Sequence, residues 1–103
     1  MALKDTLKRG DIVGYHFCYN MSFYKFFRVV NIKGCKVSLV PLKNRTLRTT
    51  GFMQYEVEPE MHLGYFTKDI IDKRFNKYGE LRIDNNELFI HKHGNTYIED
   101  LAD

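Results

Sequence analysis

The chain has 103 residues, of which 44% are hydrophobic, 28% charged and 15% aromatic, and its formal net charge is +3. This length fits one domain, residues 1–103, and excludes large multi-site enzymes, since domains commonly run to about 100–150 residues. The sequence has no apolar run close to the roughly 20 residues that a membrane helix needs, and it shows no secretory leader. We therefore expect a cytoplasmic protein with no membrane partner.

The first half of the chain predicts a series of antiparallel strands. Residues 12–19 alternate in hydrophobicity, residues 23–32 form a dense apolar and aromatic run, and residues 35–40 alternate again before Pro41. Turns are expected at residues 20–22 and at Lys33-Gly34, because Gly and small polar residues favour tight connections. Residues 43–50 are polar and basic and indicate a loop or an exposed strand, and residues 52–57 predict another short strand.

The second half mixes one helical signal with further hairpins. Apolar residues recur at near-helical spacing up to Tyr78, Thr67 is a suitable N-cap and Gly79 a suitable stop, so the spacing predicts one helix near 67–78. An extended linker carrying one strand is the alternative. Residues 80–90 predict a hairpin turning at Asn85, and residues 96–98 a final strand. Five to seven short strands at this spacing are typical of a mainly β fold, a small barrel or sandwich.

Residues 8–42 contain a series of short motifs in a fixed order. These are Gly10-Asp11-Ile12, Phe17-Cys18-Tyr19, Phe26-Phe27-Arg28-Val29-Val30, Gly34, Val37, Leu39 and Pro41. In these positions the chain resembles a group of small, uncharacterised SH3-like β-barrel proteins of bacteriophages and other mobile elements. The resemblance implies an SH3-like fold and a phage or mobile-element origin, which would place the protein in the host cytoplasm; it implies no catalytic residue.

The charges are distributed unevenly along the sequence. Residues 1–55 hold ten Lys and Arg against two acids, whereas residues 56–103 hold six against eleven. Cations that neutralise phosphate and aromatic rings that stack on bases are the mixture that nucleic-acid binders use. We therefore expect a non-enzymatic accessory protein that binds nucleic acid through a basic, aromatic-rich face. The candidate residues are Lys33, Lys36, Lys43, Arg45, Arg48, Phe23 and Tyr24.

The acidic second half supports an alternative from a different class. An acidic surface could bind the basic groove of a host nuclease, so the protein could be an anti-CRISPR-like inhibitor of a bacterial defence effector. A homodimer formed through an uncovered edge strand is a third alternative. The two halves could also simply neutralise each other in the fold. The acidic candidates are Glu56, Glu58, Glu60, Asp69, Asp72, Glu80, Asp84 and Glu87.

Metal and catalytic motifs are weak in this sequence. His91 and His93 have the spacing of two ligands on one face of a strand, but no residue pattern fixes a third, so we expect no metal and no cofactor. The sequence has no phosphate-binding glycine loop and no nucleophile elbow, so catalysis is not predicted. Cys18 and Cys35 are expected to be reduced thiols, with a disulfide left open.

Overall fold

The computed structural model describes residues 3–18, 21–60 and 70–101, and these form a mainly β fold. Seven of the ten described strands are four residues or longer, which confirms the predicted mainly β class. The elements are α1 (Leu3–Thr6), β1 (Ile12–Cys18), β2 (Ser22–Lys33), β3 (Lys36–Leu42), β4 (Asn44–Gly51), β5 (Gln54–Pro59), β6 (Ile71–Arg74), β7 (Arg82–Ile83), β8 (Asn86–Glu87), β9 (Phe89–Ile90) and β10 (Tyr97–Asp100).

The long strand β2 organises the main sheet. Its residues 22–28 pair with β1 along one edge, and its residues 26–33 pair with β3 along the other. The sheet order is β4-β5-β10-β2-β1-β9, with β6 joined to β3, and every pair is antiparallel. Strands β7 and β8 form a separate hairpin. Within the described residues the hydrogen-bonded path ends at β4 and at β9.

One face of this sheet carries the main apolar core. Val13 and Tyr15 of β1 lie opposite Phe27 and Lys25 of β2, and strand alternation directs them to the same face. The β2–β3 register shifts between Val29 and Asn31, so the side of β2 that faces the core changes there. The buried core residues are Leu7, Val13, Tyr15, Phe27, Val29, Val37, Leu39, Phe75, Leu81, Ile83 and Leu88.

The opposite face of β1 and β2 carries an aromatic cluster. Phe26 is 1% exposed, and its ring centroid lies 5.2 Å from that of Tyr97 and 6.3 Å from that of Phe89. Gly14, on the same face, leaves room for this ring, because a Cβ there would lie 2.5 Å from Phe26 Cδ1. Both faces of β2 are therefore covered around Phe26 and Phe27, which explains the continuous apolar sequence there.

The predicted helix near 67–78 is wrong for the described residues. Residues 71–74 form β6, which pairs with the edge of β3, with Leu39 opposite Ile71. Tyr78, which the helical spacing placed on the buried face, is 67% exposed. Pairing with β3 satisfies main-chain groups and places Ile71 against the core, and this tertiary gain outweighs the local periodicity. Residues 67–69 lie outside the described residues.

Candidate nucleic-acid interface

Strand pairing along one edge of β2 is interrupted between Ser22 and Phe26, and we call this gap the split. Strand β3 pairs with β2 only from Phe26 onward, and β10 pairs with β2 only where Asp100 lies opposite Ser22. Between these two points the main chain of Tyr24 has no strand partner on this edge within the described residues. Side chains satisfy it instead, as buried main-chain groups require.

Two side chains, those of Glu99 and Asn44, bridge the split by hydrogen bonds. The carboxylate of Glu99 accepts a hydrogen bond from the main-chain N–H of Tyr24 at 3.0 Å. The side-chain amide of Asn44 donates to the Tyr24 carbonyl at 2.8 Å and to Glu99 at 3.1 Å. Asn44 can reach Tyr24 because it is the first residue of β4, two residues after β3 ends at Leu42. Glu99 can reach it because it lies on β10, next to the single pair that β10 forms with β2.

An open pocket of about 600 Å³ lies beside this split. We call it the split pocket and define it by residues 23–27 and 41–44 with Tyr15, Ile71, Ile83 and Asp84. Five of its thirteen lining residues are aromatic, and the cationic residues of its lining are Lys25 and Lys43. An apolar concavity with a few polar groups is the usual form of a ligand site.

The polar groups of the split pocket are suited to an anionic aromatic ligand. Lys25 and Lys43 are exposed, and among the described residues neither forms an ion pair. Asp84 is the carboxylate of the lining, so these three side chains leave one net positive charge. Burial raises the pKa of Tyr15, and the nearby Asp84 raises it further. The Tyr15 hydroxyl is therefore protonated at neutral pH and can donate a hydrogen bond.

The two predicted stacking aromatics, Phe23 and Tyr24, both line the split pocket, although neither lies in a turn. Phe23 is half-buried, and its ring lies 5.0 Å from that of Phe17, which is 38% exposed. Tyr24 is half-buried, stacked on His16 at 4.5 Å, and 4.8 Å from Tyr97. The two rings therefore lie on opposite faces of β2, with Phe23 on the face that carries Lys25. Phe17 restricts the Phe23 ring, which favours stacking on a ligand because little side-chain freedom remains to be lost.

The five predicted cations are not on one surface. Lys43 lines the split pocket, whereas Lys33 lies at the far end of β2, beside the Gly34 turn. The other three pair with acidic candidates. These pairs are Arg48 with Glu56 at 2.6 Å, Arg45 with Glu58 at 3.9 Å and Lys36 with Asp72 at 3.4 Å.

Hydroxyl hydrogen bonds, with a contribution from these ion pairs, lower the pKa of two of the carboxylates. A hydrogen bond from Thr96 and the contact with Arg48 lower the pKa of Glu56. A hydrogen bond from Ser38, followed by Lys36, lowers the pKa of Asp72. The charged halves of the sequence therefore neutralise each other in part, as the antiparallel β4–β5 and β3–β6 ladders bring them together.

The remaining acidic candidates are distributed over separate elements. Glu60 follows β5, whereas Asp84 and Glu87 belong to the β7–β8 hairpin, with Glu80 just before it. A hydrogen bond from Asn76 lowers the pKa of Glu80, and Arg82 adds to the effect. Asp69 lies outside the described residues.

His91 and His16 form hydrogen bonds within the fold, and the two cysteines lie far from each other. His91 is buried and hydrogen-bonds through Nδ1 to the Tyr97 hydroxyl at 2.9 Å, and burial lowers its pKa. His16 hydrogen-bonds to Ser22 across the β1–β2 hairpin. Cys18 ends β1 and Cys35 lies in the distant β2–β3 turn, and both are exposed free thiols. In the described part of the chain no three metal-ligating side chains come together.

Sequence reasoning missed three residues of this site, Lys25, Asn44 and Glu99. Lys25 lies between Phe23 and Phe27 on one face of β2. A lysine in an otherwise apolar row of side chains indicates that water reaches this part of the face, as it does at the edge of a pocket. Asn44 and Glu99 have no such sequence pattern, because their role depends on where β3 and β10 stop pairing with β2.

No described helix is long and apolar enough to cross a bilayer.

Comparison of the chain with protein-family models, curated protein sequences and solved structures finds no match. The resemblance to SH3-like phage proteins therefore stays a prediction.

Proposed function

We propose that this protein is a non-enzymatic nucleic-acid-binding protein and that the split pocket is its binding site. One observation carries the proposal: aromatic residues and two lysines without ion partners among the described residues line the same pocket. The Phe23 ring, on the same face of β2 as Lys25, supplies a stacking surface, and Lys25 and Lys43 supply charge for the adjoining phosphates.

Single strands fit this site better than duplexes. A base can enter an aromatic pocket only when its face is free, and in a duplex both faces are covered by neighbouring base pairs. The ion-paired cations Lys36, Arg45 and Arg48 would add only a weaker, sequence-independent attraction, since each already faces a carboxylate.

The experiment is a fluorescence-anisotropy titration of labelled single-stranded DNA, single-stranded RNA and duplex DNA at two salt concentrations. Two phosphate contacts give a slope of log affinity against log salt of about −1.4, so affinity falls about sevenfold when salt rises fourfold. We expect single strands to bind more tightly than the duplex. The double variant Lys25→Gln with Lys43→Gln should lose this salt dependence.

Lys77→Gln is the matched control, because it removes one exposed lysine outside the split pocket. It should bind like the wild-type protein. Phe23→Ala should weaken binding about 5- to 150-fold, the range for one lost base–aromatic stack. Absence of binding at low salt, or full binding by the double lysine variant, would contradict the proposal. The defence-effector alternative would then be tested by host-protein capture.

A further inference from the structure

The wall of the split pocket contains two polar groups of complementary character. Asp84 supplies carboxylate oxygens, which only accept hydrogen bonds, and Tyr15 supplies a hydroxyl, which can donate one. Both groups line the same pocket; burial raises the pKa of Tyr15, and the charge of Asp84 raises it further. Tyr15 is 4% exposed and belongs to the core, so its position is fixed by packing.

The β7–β8 turn holds Asp84 at the pocket. Asp84 and Asn85 both have left-handed backbone conformations, with φ of 51° and 66°, as a tight two-residue hairpin turn requires. The Asn86 side chain donates to the Asp84 carbonyl at 3.1 Å, and Arg82 donates to the Asn85 carbonyl at 3.1 Å. The turn and its two hydrogen bonds therefore fix the backbone position of Asp84.

The bases differ in what they present to such a pair of groups. The Watson–Crick edge of guanine has two neighbouring donors, N1–H and N2–H₂, beside the acceptor O6. A carboxylate can accept both donors at once, while a hydroxyl donates to O6. Adenine and cytosine each place a ring-nitrogen acceptor against the carboxylate, and thymine and uracil offer one donor between two carbonyls.

We propose that the split pocket selects guanine from among unpaired bases, with the Asp84 carboxylate accepting from N1–H and N2–H₂ and the Tyr15 hydroxyl donating to O6. This inference rests on the proposed function, since it specifies which base occupies the same pocket. Lys25 and Lys43, in the same lining, contact the phosphates on either side of that base.

The test uses oligothymidines that carry one central guanine, adenine, cytosine or thymine, titrated against the full chain. We expect the guanine oligonucleotide to bind about tenfold more tightly than the other three, which is typical of one bidentate contact. Asp84→Asn should abolish the preference, because the amide offers a donor where guanine needs an acceptor. Asn tolerates left-handed backbone, so this variant keeps the turn.

Two further variants sharpen the result. Tyr15→Phe should reduce the guanine preference while keeping the core ring. Glu87→Gln removes a carboxylate from the same hairpin but outside the pocket lining, and it should keep the full preference. Equal binding of all four oligonucleotides, still weakened by the double lysine variant, would overturn guanine selection and leave the proposed function standing. A preference that survives Asp84→Asn would also overturn it. Absence of binding to every oligonucleotide would overturn both proposals.

Discussion

Replacing Glu99 with Ala tests whether side chains hold the split in the sheet. The Glu99 carboxylate accepts from the Tyr24 N–H at 3.0 Å and from the Asn44 amide at 3.1 Å. The variant leaves both part-buried donors without this acceptor, and an unsatisfied donor costs about 1–3 kcal/mol. Because the Asn44 side chain can turn toward water, we expect a total loss of about 2–3 kcal/mol in the free energy of unfolding. For a domain of this size, each kcal/mol lowers the melting temperature by about 4–8 °C.

The assay is urea unfolding followed by circular dichroism and tyrosine fluorescence, the chain having no Trp. Glu99→Gln retains an acceptor oxygen and should lose less than about 1 kcal/mol. Glu87→Ala, at an exposed carboxylate, is the control and should unfold at the wild-type urea concentration. If Glu99→Ala unfolded at the wild-type midpoint, the reasoning about the split would be refuted.

Three further predictions concern the rest of the fold. Gly14→Ala should destabilise the protein by about 1–3 kcal/mol in urea unfolding, because the new Cβ would overlap the Phe26 ring; wild-type stability would contradict this contact. Burial lowers the pKa of His91 below its unfolded value of about 6.5, so the unfolded chain binds more protons and stability should fall as pH drops through that value. Melting curves at pH 7.5 and 5.5 should show this loss, and a His91→Gln variant with the same pH dependence as wild type would exclude His91 as its source. The native chain should take up two carbamidomethyl groups without reductant, at Cys18 and Cys35, and a mass shift of fewer than two would show that a thiol is protected.

The mainly β class could be predicted from sequence because it depends on local patterns. Alternation in residues 35–40 places Val37 and Leu39 in the core, and both are fully buried. Gly34 and Asn85 adopt positive φ, as expected for the residue types that tolerate it. These features need no knowledge of distant parts of the chain.

The register shift and strand β6 depend on long-range pairing, which local patterns do not encode. The shift near Val29 changes which side of β2 faces the core, and the apolar run of β2 hides it because both faces are covered. Strand β6 pairs with residues more than thirty positions earlier in the chain, so its own helical spacing was misleading.

The candidate site could be predicted only in part for the same reason. Phe23, Tyr24 and Lys43 were identified by residue type, and all three line the split pocket. Arg45 and Arg48 were identified by the same criterion, yet the β4–β5 register places each beside a glutamate. Residue type shows which side chains can bind phosphate, whereas strand pairing decides which of them are already engaged.

The most direct test of the central claim is a two-dimensional NMR titration of the labelled protein with single-stranded DNA. If the split pocket binds the strand, the largest shifts should occur at the amides of Phe23, Tyr24, Lys25, Lys43 and Asn44, and they should weaken as salt is raised. Shifts confined to the distant β2–β3 turn, or no shifts at low salt, would contradict it.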